Sequence, residues 1–137
     1  MVYFSPDYLQ FFKDLAVNNH KDWFQANKKR YEQNVKEPFQ AFVADLIEAI
    51  KQYEPEINQP AKDAVFRINR DVRFSKDKEP YKLHLAAIVS EKGRGNMQYP
   101  GFYFQLGLET MFGGGAYCPD KAMLQAIRQS IFQNPEA

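Results

Sequence analysis

Lys62, Arg67, Arg70, Arg73, Lys76, Lys78 and Lys82 lie within one short stretch of the chain, against four carboxylates at Asp63, Asp71, Asp77 and Glu79. Side chains of these types at this density attract phosphate or carboxylate: arginine offers a planar fork of donors, lysine a mobile point charge. The alternation of Phe66, Ile68, Val72 and Phe74 predicts a strand over residues 65–75. On such a strand Phe66, Ile68, Arg70, Val72 and Phe74 share one face, and Arg67, Asn69, Asp71, Arg73 and Ser75 the other. Arg67 and Arg73 also fit an ordinary solvated face. Arg70 interrupts the apolar one. Its guanidinium must meet a carboxylate, an aromatic ring or a cleft, because burying it unpaired is very costly. A structural ion pair and a ligand contact both stay open for it. From Ser75 to Lys82 the sequence SKDKEPYK is too polar for a strand, and Pro80 keeps it out of a central ladder. The acidic residues Asp45, Glu48, Glu54 and Glu56 offset the basic excess of this segment, so a loop of mutually neutralising charges is the plain alternative.

The leading expectation is an anion-binding site built from Arg67, Arg70, Asp71, Arg73, Ser75, Lys76, Lys78, Tyr81, Lys82 and Trp23. Arg70 and Arg73 would clamp a phosphate or carboxylate, Asp71 would orient an arginine, and Lys76, Lys78 and Lys82 would supply field and closure. Tyr81 and Trp23 would offer stacking surfaces for a base or ring. Two rivals come from other classes. One is an enzyme acting on a phosphorylated or nucleotide substrate, with Asp71 or His84 as base. The other is a structural or interaction module with an internal ion-pair network. The sequence has two histidines, His20 and His84, and neither a Gly-x-Ser-x-Gly elbow nor a His-Glu-x-x-His helix. That leans toward binding; whether there is catalysis stays open, and no catalytic residue or cofactor is assigned. His84 reads as a surface residue or the partner of an acid such as Asp71. Asp71, Asp77 and Glu79 could hold magnesium, but the surrounding lysines compete for them, and no metal site is assigned.

Two further motifs are weaker. Gly113-Gly114-Gly115 matches neither dinucleotide nor P-loop spacing, and Asp120 nearby would repel an anion, so a bulge or tight turn is expected. GFYFQ at 101–105 lacks the leading basic residue of an RNA-recognition strand, which assigns Phe102 and Phe104 to the core. The net charge of +1 argues against a general polyanion-coating protein and places nucleic acid behind a small anion as partner. The single Cys118 excludes an internal disulfide and a cysteine zinc site. The N-terminus lacks a signal-peptide pattern, and no apolar run approaches the ~18 residues of a membrane span. A soluble, cytoplasmic setting is expected, with the oligomeric state open.

The elements that must position these residues change character midway. Ser5-Pro6-Asp7 reads as the start of a helix with Leu9, Phe12, Leu15 and Ala16 at helical spacing, ending at Asn18-Asn19. A second helix is expected from Asn19, with Phe24, Tyr31 and Val35 on its apolar stripe and Lys28, Lys29 and Arg30 toward water. Pro38 predicts a kink or restart, followed by a third amphipathic stretch through Ile50. After residue 64 the period falls to 2, with strands expected over 65–75, 83–90, 100–108 and 109–117, and GRGN at 93–96 as a hairpin loop. Pro119-Asp120 opens a last helix with Met123, Leu124, Ile127 and Ile131 on its apolar face. The reading is one α+β domain over residues 1–137: helices on one face of an antiparallel sheet of about four strands, then a C-terminal helix.

The stretch RINRDVRFSKDKEPYK, with NNHKDWFQANKKRYE upstream and GGGAY downstream, resembles the uncharacterised family called domain of unknown function 2461. Its Arg-Asp-x-Arg-Phe-Ser-x-Asp-Lys-x-Pro-Tyr-Lys core is matched from Arg70 to Lys82, and its Asn-Asn-x-x-x-Trp-Phe helix start at Asn18, Asn19, Trp23 and Phe24. The resemblance covers roughly residues 4–130 and implies no known activity. It also implies that a C-terminal part, with further helix and a Pro-Lys-Gly-Phe-like segment, is lacking here.

Overall fold

The computed structural model describes residues 2–96 and 98–136. Four helical elements come first: α1 (Pro6–Val17), α2 (Lys21–Ala26), α3 (Lys28–Tyr31) and α4 (Glu37–Lys51). Pro6 stands in the first turn of α1, where its missing N–H is no loss, and Asn18 closes the helix. The second start falls one residue later than expected. His20, not Asn19, caps α2, its Nδ1 accepting from the Trp23 amide at 3.3 Å. Asn19 is thereby released for a different task, described below.

Between α3 and α4 the backbone passes through a π-helical turn, Glu32–Lys36, in which the Glu37 amide donates to the Glu32 carbonyl. This is how the chain accommodates Pro38: the wider turn sits directly upstream of the residue that cannot donate. Tyr31, Val35, Phe39, Val43 and Ile47, every fourth residue, are all buried along this path. Arg30 does not face water as its neighbours do. Its Nε and Nη2 donate to the Asp7 carboxylate at 2.9 and 2.5 Å, and its Nη1 to Asp14 at 2.8 Å, locking α3 to α1.

A short helix α5 (Ala61–Ala64) leads into the sheet, which has strands β1 (His84–Val89), β2 (Gly101–Gly107) and β3 (Met111–Gly115). The order is β1-β2-β3, antiparallel throughout. Leu85, Ala87 and Val89 pair in register with Leu106, Phe104 and Phe102, so all six point to the helical side. There they meet Phe11, Phe12, Phe39 and Val43 in one core. Gly107 is required at the end of β2, because a Cβ there would collide with the Leu83 carbonyl and His84. The chain is therefore α+β with helices on one face of an antiparallel sheet.

The sheet has three strands, and the missing one is residues 65–75. That segment divides its hydrogen bonds between two partners. Val65 bridges Ala87 and the Phe66 amide donates to Ala86, flanking β1. Then Asn69 bridges Tyr81, with Arg70 N–H to the Pro80 carbonyl at 2.8 Å and Lys82 N–H to Ile68 at 2.9 Å. The segment folds back on its own exit loop, and no continuous ladder forms. Ile68 is buried as the alternation requires, but Phe74 is 97% exposed at the loop's far side. The glycines also depart from expectation: Gly113 to Gly115 are neither bulge nor turn but pair regularly in β3 with Tyr103, Phe102 and Gly101. The last helix, α6 (Lys121–Gln133), is capped by Asp120, whose carboxylate accepts from the Met123 amide at 2.8 Å. Its apolar face is not buried. Among the described residues, no helix is long and apolar enough to cross a membrane.

Candidate functional site

The paired arms 68–70 and 80–82 form the stem of a loop, and Arg70, Arg73 and Lys78 are committed within it. Arg70 Nη1 donates to Asp77 at 2.6 Å and to the Glu79 carbonyl at 3.1 Å. Arg73 grips Asp71 through Nε at 2.9 Å and Nη2 at 2.6 Å, and lies 5.9 Å from the centre of the Phe74 ring. Lys78 donates to the Val72 carbonyl at 2.8 Å. The Ser75 amide turns back to Val72, and Lys76 is exposed. The carboxyls of Asp71 and Asp77 lie below the usual carboxylate range. For Asp71 the cause is first the Arg73 side chain; for Asp77 it is first the Glu79 amide and then Arg70. Among the described residues no three acidic, histidine or cysteine side chains gather as a metal site.

Asn19 ties the stem to the helices. Asn19 Nδ2 donates to the Tyr81 carbonyl at 2.9 Å while its Oδ1 accepts from the Tyr81 amide at 3.1 Å. An asparagine amide thus pairs with a backbone as a neighbouring strand would. Tyr81 is held further by stacking on Phe24, ring centres 4.1 Å apart and planes 18° from parallel. Trp23 packs instead against Phe11, at 5.7 Å, at the margin of the core.

Between this stem and the helices lies a cleft of about 560 Å³. Its cations are Lys28 and Lys36 from the helical path, Lys62 from α5, Arg67 from the broken strand and Arg94 from the hairpin loop, with Glu32 as the one lining carboxylate. Among the described residues, none of these five cations forms an ion pair. Arg94 donates to the Val65 carbonyl and lies 5.7 Å from the Phe66 ring centre. Lys82 sits beside them, its Nζ donating to the Arg67 carbonyl at 3.0 Å. Burial, and then the Arg67 charge, hold the Lys82 ammonium below its usual pKa. Tyr31, on the cleft wall, has its phenol pushed up to about 12 by burial and by Glu32.

A family model described as "Conserved hypothetical protein (DUF2461)" matches residues 7–137. The chain belongs to this family. No curated protein and no solved structure matches it. Of the residues expected to bind an anion, this DUF2461 domain places Arg67 and Tyr81 on the cleft and Lys82 at its edge. Arg70 belongs to the stem, Asp71, Arg73, Ser75, Lys76 and Lys78 to the loop beyond it, and Trp23 to the helix packing. Lys62 belongs to the basic cluster of the sequence though not to the expected site, and Lys28, Lys36 and Arg94 lie outside both. The spacing of Lys28, Glu32 and Lys36 on one helical face was the available signal; Arg94 sits in a Gly-rich loop and carries none. His84 meets no carboxylate of the loop, since Asp71 is held by Arg73. It is half-buried on β1.

Proposed function

We propose that this domain binds a small anionic, phosphate- or carboxylate-bearing ligand in the cleft between the loop stem and the helices, in a cytoplasmic setting. The reading is carried by one observation: five cations and a single carboxylate line one concavity, and none of the five has an ionic partner among the described residues. Like charges gathered without counter-charge raise the energy of the empty site, and an anion relieves it. Lys82 adds a further cation at the edge, its ammonium held below its usual pKa first by burial and then by the Arg67 charge. Arg67 supplies the donor fork, and Lys28, Lys36 and Lys62 supply mobile charge. Within the basic loop, the Arg70–Asp77 and Arg73–Asp71 pairs favour a structural role for those four side chains.

Thermal unfolding with added phosphate, pyrophosphate and short nucleic acids tests this. A ligand at a hundredfold its Kd adds about 2.7 kcal/mol, a rise of roughly 8–10 °C for a domain of this size. The rise should shrink with added salt. Arg67→Gln combined with Lys62→Gln should remove most of it while leaving the ligand-free melt nearly unchanged, because both side chains are exposed. A double variant that responds like the parent to every anion sinks the proposal. A larger effect of nucleic acid, with a steep salt slope, would replace a small-ligand site by a nucleic-acid surface.

A further inference from the structure

The sheet face away from the helices carries a second concavity, of about 640 Å³, with a different chemistry. Its floor and walls are Ile88, Tyr103, Met111, Tyr117 and the backbone of Gly113 to Gly115. Two residues, Phe66 and Arg94, line both this groove and the cationic cleft. The two concavities therefore meet at a phenyl ring with a guanidinium over it. Beyond that junction the cations end and aromatic rings and bare backbone begin. A strand of three consecutive glycines packs poorly for its own sake, and such a strand suits a flat group approaching the backbone closely. Nothing lies within 4 Å of the position a Cβ would take at Gly113, so the space above the strand is open. Aromatic walls beside that space offer faces and edges for a planar ring.

We propose that the two concavities form one site for a phosphate monoester bearing a planar aromatic group. The phosphate would lie among Arg67, Arg94 and the lysines, and the ring in the groove over Gly113. This rests on the anion-binding reading above and adds the class of ligand. A phosphate monoester suits the cleft because its charge of about −1.5 to −2 meets several cations at once. Arg94, shared by both halves, sits where the ester link would pass.

Titration calorimetry at low salt with methyl phosphate and phenyl phosphate tests it. Both carry the same anion, and only one carries the ring. Phenyl phosphate should bind about tenfold or more tightly, as burial of a ring's apolar area implies after losses on association. Gly113→Val fills the open space with a side chain suited to a strand, and should bring that ratio close to one while leaving methyl phosphate binding unchanged. Equal affinities in the parent overturn this inference and leave the anion site standing. An undiminished ratio in a folded Gly113→Val variant also overturns it. If the parent binds neither compound, the anion reading falls and this one with it.

Discussion

At His84 two influences act in one direction. Burial, and then the neighbouring Lys82, hold the imidazole below its ordinary pKa of 6.5, and Glu109 only partly opposes them. A base with a lower pKa folded than unfolded takes up its proton later in the native state. Its burden on stability is therefore absent above about pH 6.5 and grows as pH falls through the depressed folded value. The midpoint of urea unfolding should accordingly drop between pH 7 and about pH 5, before the carboxylates titrate, and His84→Gln should flatten that drop. An identical slope in the variant would mean the imidazole is as well solvated folded as unfolded. At the same scale, the fate of Arg70 shows what a lone sequence conceals. Its interruption of an apolar alternation was legible, and so was its need for a partner. That the partner is Asp77 was not, because the pair exists only once Asn69 and Tyr81 have closed the loop. Asn19 was similarly opaque: an asparagine at a helix junction reads as a cap, and its pair of hydrogen bonds to Tyr81 depends on a residue about sixty positions away.

Arg30 of α3 is bonded to Asp7 and Asp14 of α1 and lies 5.6 Å from the Phe11 ring centre. The guanidinium first, with Asn34 also contributing, holds the Asp7 carboxyl below its usual range. Asp14 is lowered too, by Arg30 and then Gln10. With Arg30 only 26% exposed, Arg30→Gln should destabilise the domain by about 1–2 kcal/mol, less than a fully buried pair would lose because solvent screens it. The carboxyls are depressed in the folded state, so their contribution is present above about pH 4 and is lost as pH falls through the lower folded values. Urea melts of parent and variant should differ at pH 7 and converge near pH 2.5. A constant gap would assign the effect to packing against Phe11 instead. Helices α1, α4 and α6 were legible to within a residue or two, since helical spacing is a local signal; the break at Asn27 that divides the expected second helix, and the short α5, were not. The strand over 65–75 was not, because its alternation is real while its hydrogen-bond partners change midway, and only the tertiary fold decides that.

Across the whole molecule, apolar surface is unevenly distributed. Strand β3 is the free edge of the sheet, and Met111 and Phe112 are 54% and 69% exposed there. Ile131 and Phe132 on α6 are 63% and 86% exposed. An unpaired edge beside exposed rings favours strand-to-strand association. Sedimentation of this chain at tens of micromolar should therefore reveal species larger than the monomer, and Phe112→Lys should reduce them. A monomer at every concentration would show that the edge is protected by its own geometry. The α+β architecture was readable from the change of period near residue 64; the unburied α6 was not, because an amphipathic pattern states which face is apolar and not what meets it. A last consequence follows from the π-helical turn at Glu32–Lys36. An α-helix advances about 100° per residue, so a stripe at every fourth position drifts steadily around the axis. The wider turn winds less per residue and recovers part of that drift, keeping Tyr31 and Ile47 on one buried face and Lys28 and Lys36 on one cleft. This stretch behaves as a vernier between two requirements. Winding, more than side-chain identity, is what it protects: at unchanged length, regular α-helical winding there would rotate everything after it by up to about 100°, so that core and cleft could no longer both be served, whereas losing a single residue would let α-helical winding return with that register kept.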